Sequence, residues 1–257
     1  MRLRHPNSLC LALLTVCGSL TGTCRTEAAE STPGTGWIDL SSADRPLALW
    51  RDDRQGWTAA GGAGLDPAND HRLAVTPGSG VIVSDGDGAD LLTVDNYRDV
   101  EFRCEFMIPK GSNSGVKLNA LYEIQIRDMN GQEASNGDSC GGIYPRAELE
   151  PRYRLLDAGV PPQVNAARPA GQWQSLELYF YSPRFDAAGN KLANARFERV
   201  VLNGKVIHQR EELDHPTGHA WNTKPEIPEG PVMLQGDHGP VAFRKVRIRR
   251  LPALDGQ

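Results

Sequence analysis

The feature that most limits how this chain folds is a repeated pattern. Short apolar runs alternate with polar residues at period two, and clusters of Gly, Pro, Asn and Asp end each run. Strand side chains alternate faces, so runs of this kind build half-buried strands. The pattern predicts strands over 74–84, 100–108, 115–118, 121–128, 174–181, 195–202, 205–209, 232–234 and 241–251. Asn203-Gly204 separates two of these runs, and both residue types accept the positive φ that a two-residue hairpin turn demands. No stretch after residue 29 keeps a 3.6-residue apolar period over three turns. Burying that many half-apolar strands takes two packed antiparallel sheets, so an all-β jelly-roll sandwich with one concave sheet is expected.

The 257 residues suit one large domain of this type. The expected division is an export signal at 1–29, a Pro/Gly/Ser/Thr-rich linker at 30–36 and a domain at 37–253. Arg2, Arg4 and His5 give the signal a basic start, Leu11 to Leu20 a short apolar core, and Ala28-Ala29 a small-residue end. That core is too short and too interrupted to span a bilayer, so no membrane insertion is expected once it is removed. The expected location is periplasmic or extracellular. A lipoprotein is the lesser reading, because Val16 and Thr23 are poor residues before a lipidated cysteine. A formal net charge of −4 gives no electrostatic bid for nucleic acid. With the signal gone, Cys104 and Cys140 remain, as one disulfide or as two thiols.

In Tyr122-Glu-Ile-Gln-Ile-Arg-Asp128, parity puts Tyr122, Ile124 and Ile126 on one face and Glu123, Gln125 and Arg127 on the other. The second set makes a platform for sugar hydroxyls. Gln125 in the middle cannot be an acid, base or nucleophile, so the strand lacks the carboxylate pair of a retaining glycosidase. The tight turn after 232–234 holds Gln235, Asp237 and His238. His238 is the histidine best placed for proton transfer, and sequence neighbours tend to point apart, so Asp237 need not bond it. Arg244 shares its parity with Ala242, Val246 and Ile248 and is expected on the apolar side, paired to Glu123, Asp128 or a ligand oxygen. Asn113-Ser-Gly115 reads as a turn facing a ligand, and Trp221 as a stacking surface in a loop. The segment 145–170, with five prolines, reads as a long surface loop. Metal ligands at recognisable spacing, phosphate loops and dinucleotide fingerprints are absent.

Asn113-Ser-Gly115, Tyr122–Arg127 with Asp128, and Cys140-Gly-Gly-Ile-Tyr144 resemble the first half of the 3-keto-disaccharide hydrolase domain family. Ala170-Gly-Gln-Trp173, Pro183-Arg-Phe-Asp186, Val201-Leu-Asn-Gly204 and Leu234-Gln-Gly-Asp-His-Gly-Pro-Val-Ala-Phe-Arg244 resemble its second half. The resemblance implies a concanavalin-like jelly roll and an exported hydrolase or lyase acting on 3-keto-glycosides or 3-keto-disaccharides. Its chemistry would be C2 proton abstraction, elimination and hydration. Glu123 or His238 would be the base and Arg244 the enolate stabiliser. Asn113, Gln125 and Gln235 would orient hydroxyls, and Arg127, Asp128, Asp237 and Trp221 would complete the sugar site. A divalent metal is the one cofactor this chemistry admits, in place of the arginine. Two departures stand out: Lys245 occupies a position where relatives usually carry Asn, and 145–170 is longer and more charged than the equivalent loop. The other readings are a noncatalytic carbohydrate-binding module and a conventional glucanase, the latter disfavoured by Gln125.

Overall fold

The computed structural model of the protein describes residues 36–129 and 131–252. The segment read as an export signal, and linker residues 30–35, lie outside the described residues. Two antiparallel sheets face each other. The large sheet runs Lys205–Leu213, Ala195–Leu202, Gln174–Tyr181, Val100–Met107, Val241–Arg250, Asn69–Ser84 and Trp57–Asp66, and Ile38–Asp39 joins alongside Val241–Arg250. The small sheet runs Leu91–Leu92, Met233–Leu234, Asn113–Leu118 and Tyr122–Arg127. The all-β antiparallel sandwich expected from the sequence is therefore the fold.

Alternation builds the core. Phe102, Phe106, Leu178, Phe180 and Phe197 project from the large sheet against Val116, Leu118, Tyr122, Ile124, Ile126 and Leu234 of the small one. Tyr122 and Phe180 meet across the sheets with ring centroids 5.4 Å apart. Each such side chain stabilises the sandwich by about 1.5–3 kcal/mol through burial. Cys104 and Cys140 are both buried and unbonded thiols.

The Asn203-Gly204 turn forms as predicted, with φ of 52° and 78°. Asn203 also accepts from the Ser175 amide at 3.0 Å and donates to the Ala166 carbonyl at 2.8 Å, tying the hairpin to its neighbours. Two expectations fail locally. Trp57–Asp66 is a ten-residue strand that the pattern hid, because its centre is glycine and alanine. Asn113-Ser-Gly115 is the first half of a strand rather than a turn.

Arg244 also departs from its expected face. The pairing register of Val241–Arg250 shifts between Arg244 and Arg247, and Lys245 adopts φ 51°. Val241 and Phe243 face the core before the shift, and Val246 and Ile248 face it afterwards. This β-bulge breaks strict alternation, so Arg244 points outward beside Ala242. The left-handed backbone at 245 suits the asparagine usual in the resembled family better than the lysine found here.

The free edge of Tyr122–Arg127 is covered. The Gln125 amide donates to Gly142 at 2.9 Å, Gly141 donates back to Gln125 at 2.7 Å, and Tyr144 donates to Glu123 at 3.1 Å. The segment 145–170 that follows carries its own two-residue ladder, Ala147–Glu148 against Arg154–Leu155.

Candidate functional site

The outward face of the small sheet gathers the candidate residues. Glu123, Gln125 and Arg127 project from it together. Across the ladder, Glu123 pairs with Lys117, Gln125 with Gly115 and Arg127 with Asn113. The Glu123 side chain lies over Gly115, where a Cβ would meet its Oε1 at 2.2 Å. That gap in the sheet surface is what lets the carboxylate lie down against the floor.

Glu123 is 2% exposed, and its Oε2 sits 3.3 Å from Lys117 Nζ. Burial pushes the Glu123 carboxyl above the usual range, and Lys117 pulls only partly against it. Burial would lower the Lys117 ammonium, but Glu123 and then Asp90 outweigh it and keep lysine charged. Asp90, also raised by burial, accepts from the Gly236 amide at 3.2 Å. The Asp237 and His238 side chains act electrostatically on this group from the adjoining turn.

His238 Nδ1 and Asp237 Oδ1 are 2.5 Å apart, so these two sequence neighbours, whose bonding the sequence left open, are bonded. The turn is anchored to the small sheet: Gln235 donates its amide to Gly115, and Asn113 donates its amide to His238. Gln125 Nε2 donates to Asp138 Oδ1 at 2.8 Å, and Arg127 pairs with the other oxygen of Asp138. Asn113 Oδ1 is buried without a hydrogen-bond partner.

Three of the named residues lie elsewhere. Arg244 is on the outward face of the other sheet, its Nε 2.6 Å from Glu105 Oε2 and its guanidinium 4.0 Å over the Trp173 ring. The core separates it from Glu123, and Glu105 is the carboxylate it pairs with. Asp128 accepts from the Gly111 amide at 2.9 Å and lines a separate cleft of about 270 Å³ with Lys110 and Arg168. Trp221 sits in a short helix, Ala220–Thr223, rather than a loop. Its indole donates to the Ala147 carbonyl at 2.9 Å and lies under Arg146.

Sequence reasoning missed Lys117, Asp90, His219, Asp138 and the Tyr144/Tyr153 pair. The two tyrosine hydroxyls are 2.5 Å apart beside Glu123 and Asp138. His219, its imidazole lowered by burial and then by Lys117 and Lys224, completes the rim. A signal for Lys117 existed: Val116-Lys117-Leu118 alternates and stands one short loop before 122–127, which places Lys117 opposite Glu123. The others arrive by long-range contacts that no local pattern encodes.

Among the described residues no group of three or more His, Cys, Asp or Glu side chains is arranged to hold a metal ion. The nearest ionic partner of Glu123 is an ammonium, which fits an anion or a carbonyl oxygen better than a cation. No helix among the described residues is long and apolar enough to cross a membrane.

The family model of the 3-keto-alpha-glucoside-1,2-lyase-like domain matches residues 36–249. A 3-keto-disaccharide hydrolase of Bacteroides thetaiotaomicron is 27% identical over 138 residues, covering 53% of this chain and 44% of that relative. The matched part is thus less than half the relative's length. A crystal structure from Parabacteroides distasonis, of a protein assigned to the glycosyl hydrolases, superposes with TM-score 0.58 at 21% identity over 84% of both chains. A second from the same organism reaches TM-score 0.47 at 20% identity, over 76% of this chain and 99% of the other.

Proposed function

This chain belongs to the 3-keto-alpha-glucoside-1,2-lyase-like family, and from that premise we propose that it cleaves 3-keto-glycosides or 3-keto-disaccharides by elimination followed by hydration. The observation that carries this reading is the buried Glu123 carboxylate with the Lys117 ammonium 3.3 Å away as its ion-pair partner.

A 3-keto group acidifies the C2 hydrogen of the sugar. Glu123 takes that proton, and burial makes it a stronger base than a solvated glutamate. The negative charge leaves the carboxylate and appears on the C3 oxygen. Lys117, charged and half-buried beside both, turns from one anion to the other. The enolate then collapses, the C1–O bond breaks, and the departing oxygen takes a proton from His238, held by Asp237. Water then adds its hydroxyl to C1 while His238 takes the water's other proton, and Glu123 returns its proton to C2, so both groups end as they began. Lys117 thus takes the part that the sequence alone gave to Arg244. Gln125 and Arg127, braced on Asp138, and Gln235 hold hydroxyls. We place the protein in the periplasm or outside the cell, on the basic and apolar character of residues 1–29.

The test is to incubate the purified protein with 3-keto-glucosides and follow aglycone release and the glycal intermediate's absorbance. Release is expected from the 3-keto sugar and not from the parent glucoside. Binding of the sugar with no release would replace this reading with that of a carbohydrate-binding module.

A further inference from the structure

The strip that covers the edge of Tyr122–Arg127 brings one large side chain onto the outward face of the small sheet. Ile143 bridges Ile124, and both are buried in the core. Alternation then turns the next residue, Tyr144, outward. Its amide donates to the Glu123 carbonyl at 3.1 Å, so Tyr144 stands beside Glu123 on the neighbouring segment. Lys117 pairs with Glu123 from the other side. The row across the sheet is therefore Lys117, Glu123, Tyr144. The Tyr144 hydroxyl in turn meets that of Tyr153, 2.5 Å away. We propose that the Tyr153 ring is a stacking surface for the pyranose of the bound sugar, on the side of Glu123 away from Lys117. The proposal deepens the reading above and rests on it, since that reading is what seats a sugar over Glu123.

Two observations carry it. The first is how Tyr153 is turned. A surface tyrosine ordinarily packs its ring and leaves its hydroxyl to water. Here the hydroxyl is engaged by Tyr144, yet the residue is 53% exposed, so ring carbons are left to the solvent. The second is how it is mounted. Tyr153 adjoins Arg154–Leu155, whose ladder partner Ala147–Glu148 is fixed at its base. Ala147 donates its amide to Gly218 at 2.9 Å, and Arg146 pairs with Asp157 at 2.7 Å. A ring on a held support loses little freedom when a ligand meets it. The face of a pyranose is built largely of C–H groups. Laid on an aromatic ring, it releases water from both surfaces and leaves the hydroxyls at its edge to Gln125, Arg127 and Gln235. Trp221, which the sequence offered for this task, is already engaged, its indole bonded to Ala147 and its ring under Arg146.

The experiment compares wild type with Tyr153→Phe and Tyr153→Ala on methyl 3-keto-glucoside. It reads kcat and KM for methanol release, and Kd by calorimetry with each change placed in a Glu123→Gln background, where the sugar survives. Phe removes the bond to Tyr144 and keeps the ring, whereas Ala removes both. The expected result is a rise of about tenfold in KM and Kd for Ala, near the most that one aromatic contact contributes, with Phe within about threefold of wild type and kcat little changed in either. Equal losses in Phe and Ala would make Tyr153 a brace for the hairpin and overturn the stacking surface. Unchanged KM and Kd in Ala would overturn it as well. If wild type binds the sugar and releases nothing, the catalytic reading alone fails, and the Kd series still decides whether the ring is a stacking surface. If wild type binds no 3-keto sugar, both are overturned.

Discussion

Each outward face of the sandwich holds a glutamate sealed from water, and the two behave oppositely. Glu101, on the large sheet, is 0% exposed; Glu123, on the small sheet, is 2% exposed. Burial acts on both and would raise both. At Glu101, hydrogen bonds with Tyr179, Arg249 and Arg103 outweigh it and hold the carboxyl below the usual range. At Glu123, one lysine 3.3 Å away is too little, and the carboxyl stays raised. Burial alone therefore does not mark a reactive carboxylate. The number of donors that satisfy it decides whether it is a fixed anion or a base able to take a proton.

The sharpest test of the contrast is Glu123→Gln, expected to lower kcat/KM for aglycone release by about 10³. In the wild type the same value should fall as pH drops through a pKa above the ordinary glutamate value, because only the ionised carboxylate accepts the C2 proton. A profile still flat at pH 4.5, the ordinary glutamate value, would remove Glu123 from the role of base. The stability effect has its own sign. A raised folded pKa means the folded state favours the protonated acid, so Glu123 favours folding at low pH and loses that contribution as pH rises through its folded pKa. Next in size, His238→Ala should slow release of a methyl aglycone about 10²-fold and of a nitrophenolate much less, since the latter leaves without a proton. Equal losses would make His238 a positioning group only. On the other face, Glu101→Gln should leave release rates unchanged while costing about 2 kcal/mol in urea unfolding, because two guanidiniums lose their common anion. Glu101 favours folding above the ordinary glutamate pKa and loses that contribution as pH falls through its depressed one, the reverse of Glu123. The smallest effect belongs to Arg244→Met. Its pair with Glu105 is partly solvated, so a stability loss of at most about 1 kcal/mol and wild-type turnover are expected. Loss of turnover in that variant would return Arg244 to the reaction.

The same two faces show what the sequence could reveal. Tyr122–Arg127 alternates without interruption, so its polar row could be read from parity and the structure keeps it. Val241–Arg250 carries its large apolar residues at 241 and 243 and then at 246 and 248, and the bulge at Lys245 behind that change of phase puts Arg244 on the side opposite to the one that a single parity assigned it. A bulge adds one residue and so flips the parity of all that follow, a phase change that was legible here and that reading the strand in one parity overlooked. The Asn203-Gly204 hairpin was legible because its turn chemistry is local. Lys117 was legible in principle, since its register follows from one short connection. Asp90, Asp138, His219 and Tyr153 were not, because each reaches the site across folds of the chain that no nearby residue announces. Trp57–Asp66 went unseen because glycine and alanine carry little strand signal.

The covering strip at Gly141–Tyr144 has one more effect. A sheet ending in bare amides and carbonyls invites another chain to continue it, and proteins that expose such rims tend to self-associate into ordered aggregates. Here the rim bearing Glu123 is already taken by the chain's own Gly-Gly segment. The polar row of Tyr122–Arg127 thus sits on a strand whose edge offers neighbouring molecules no template.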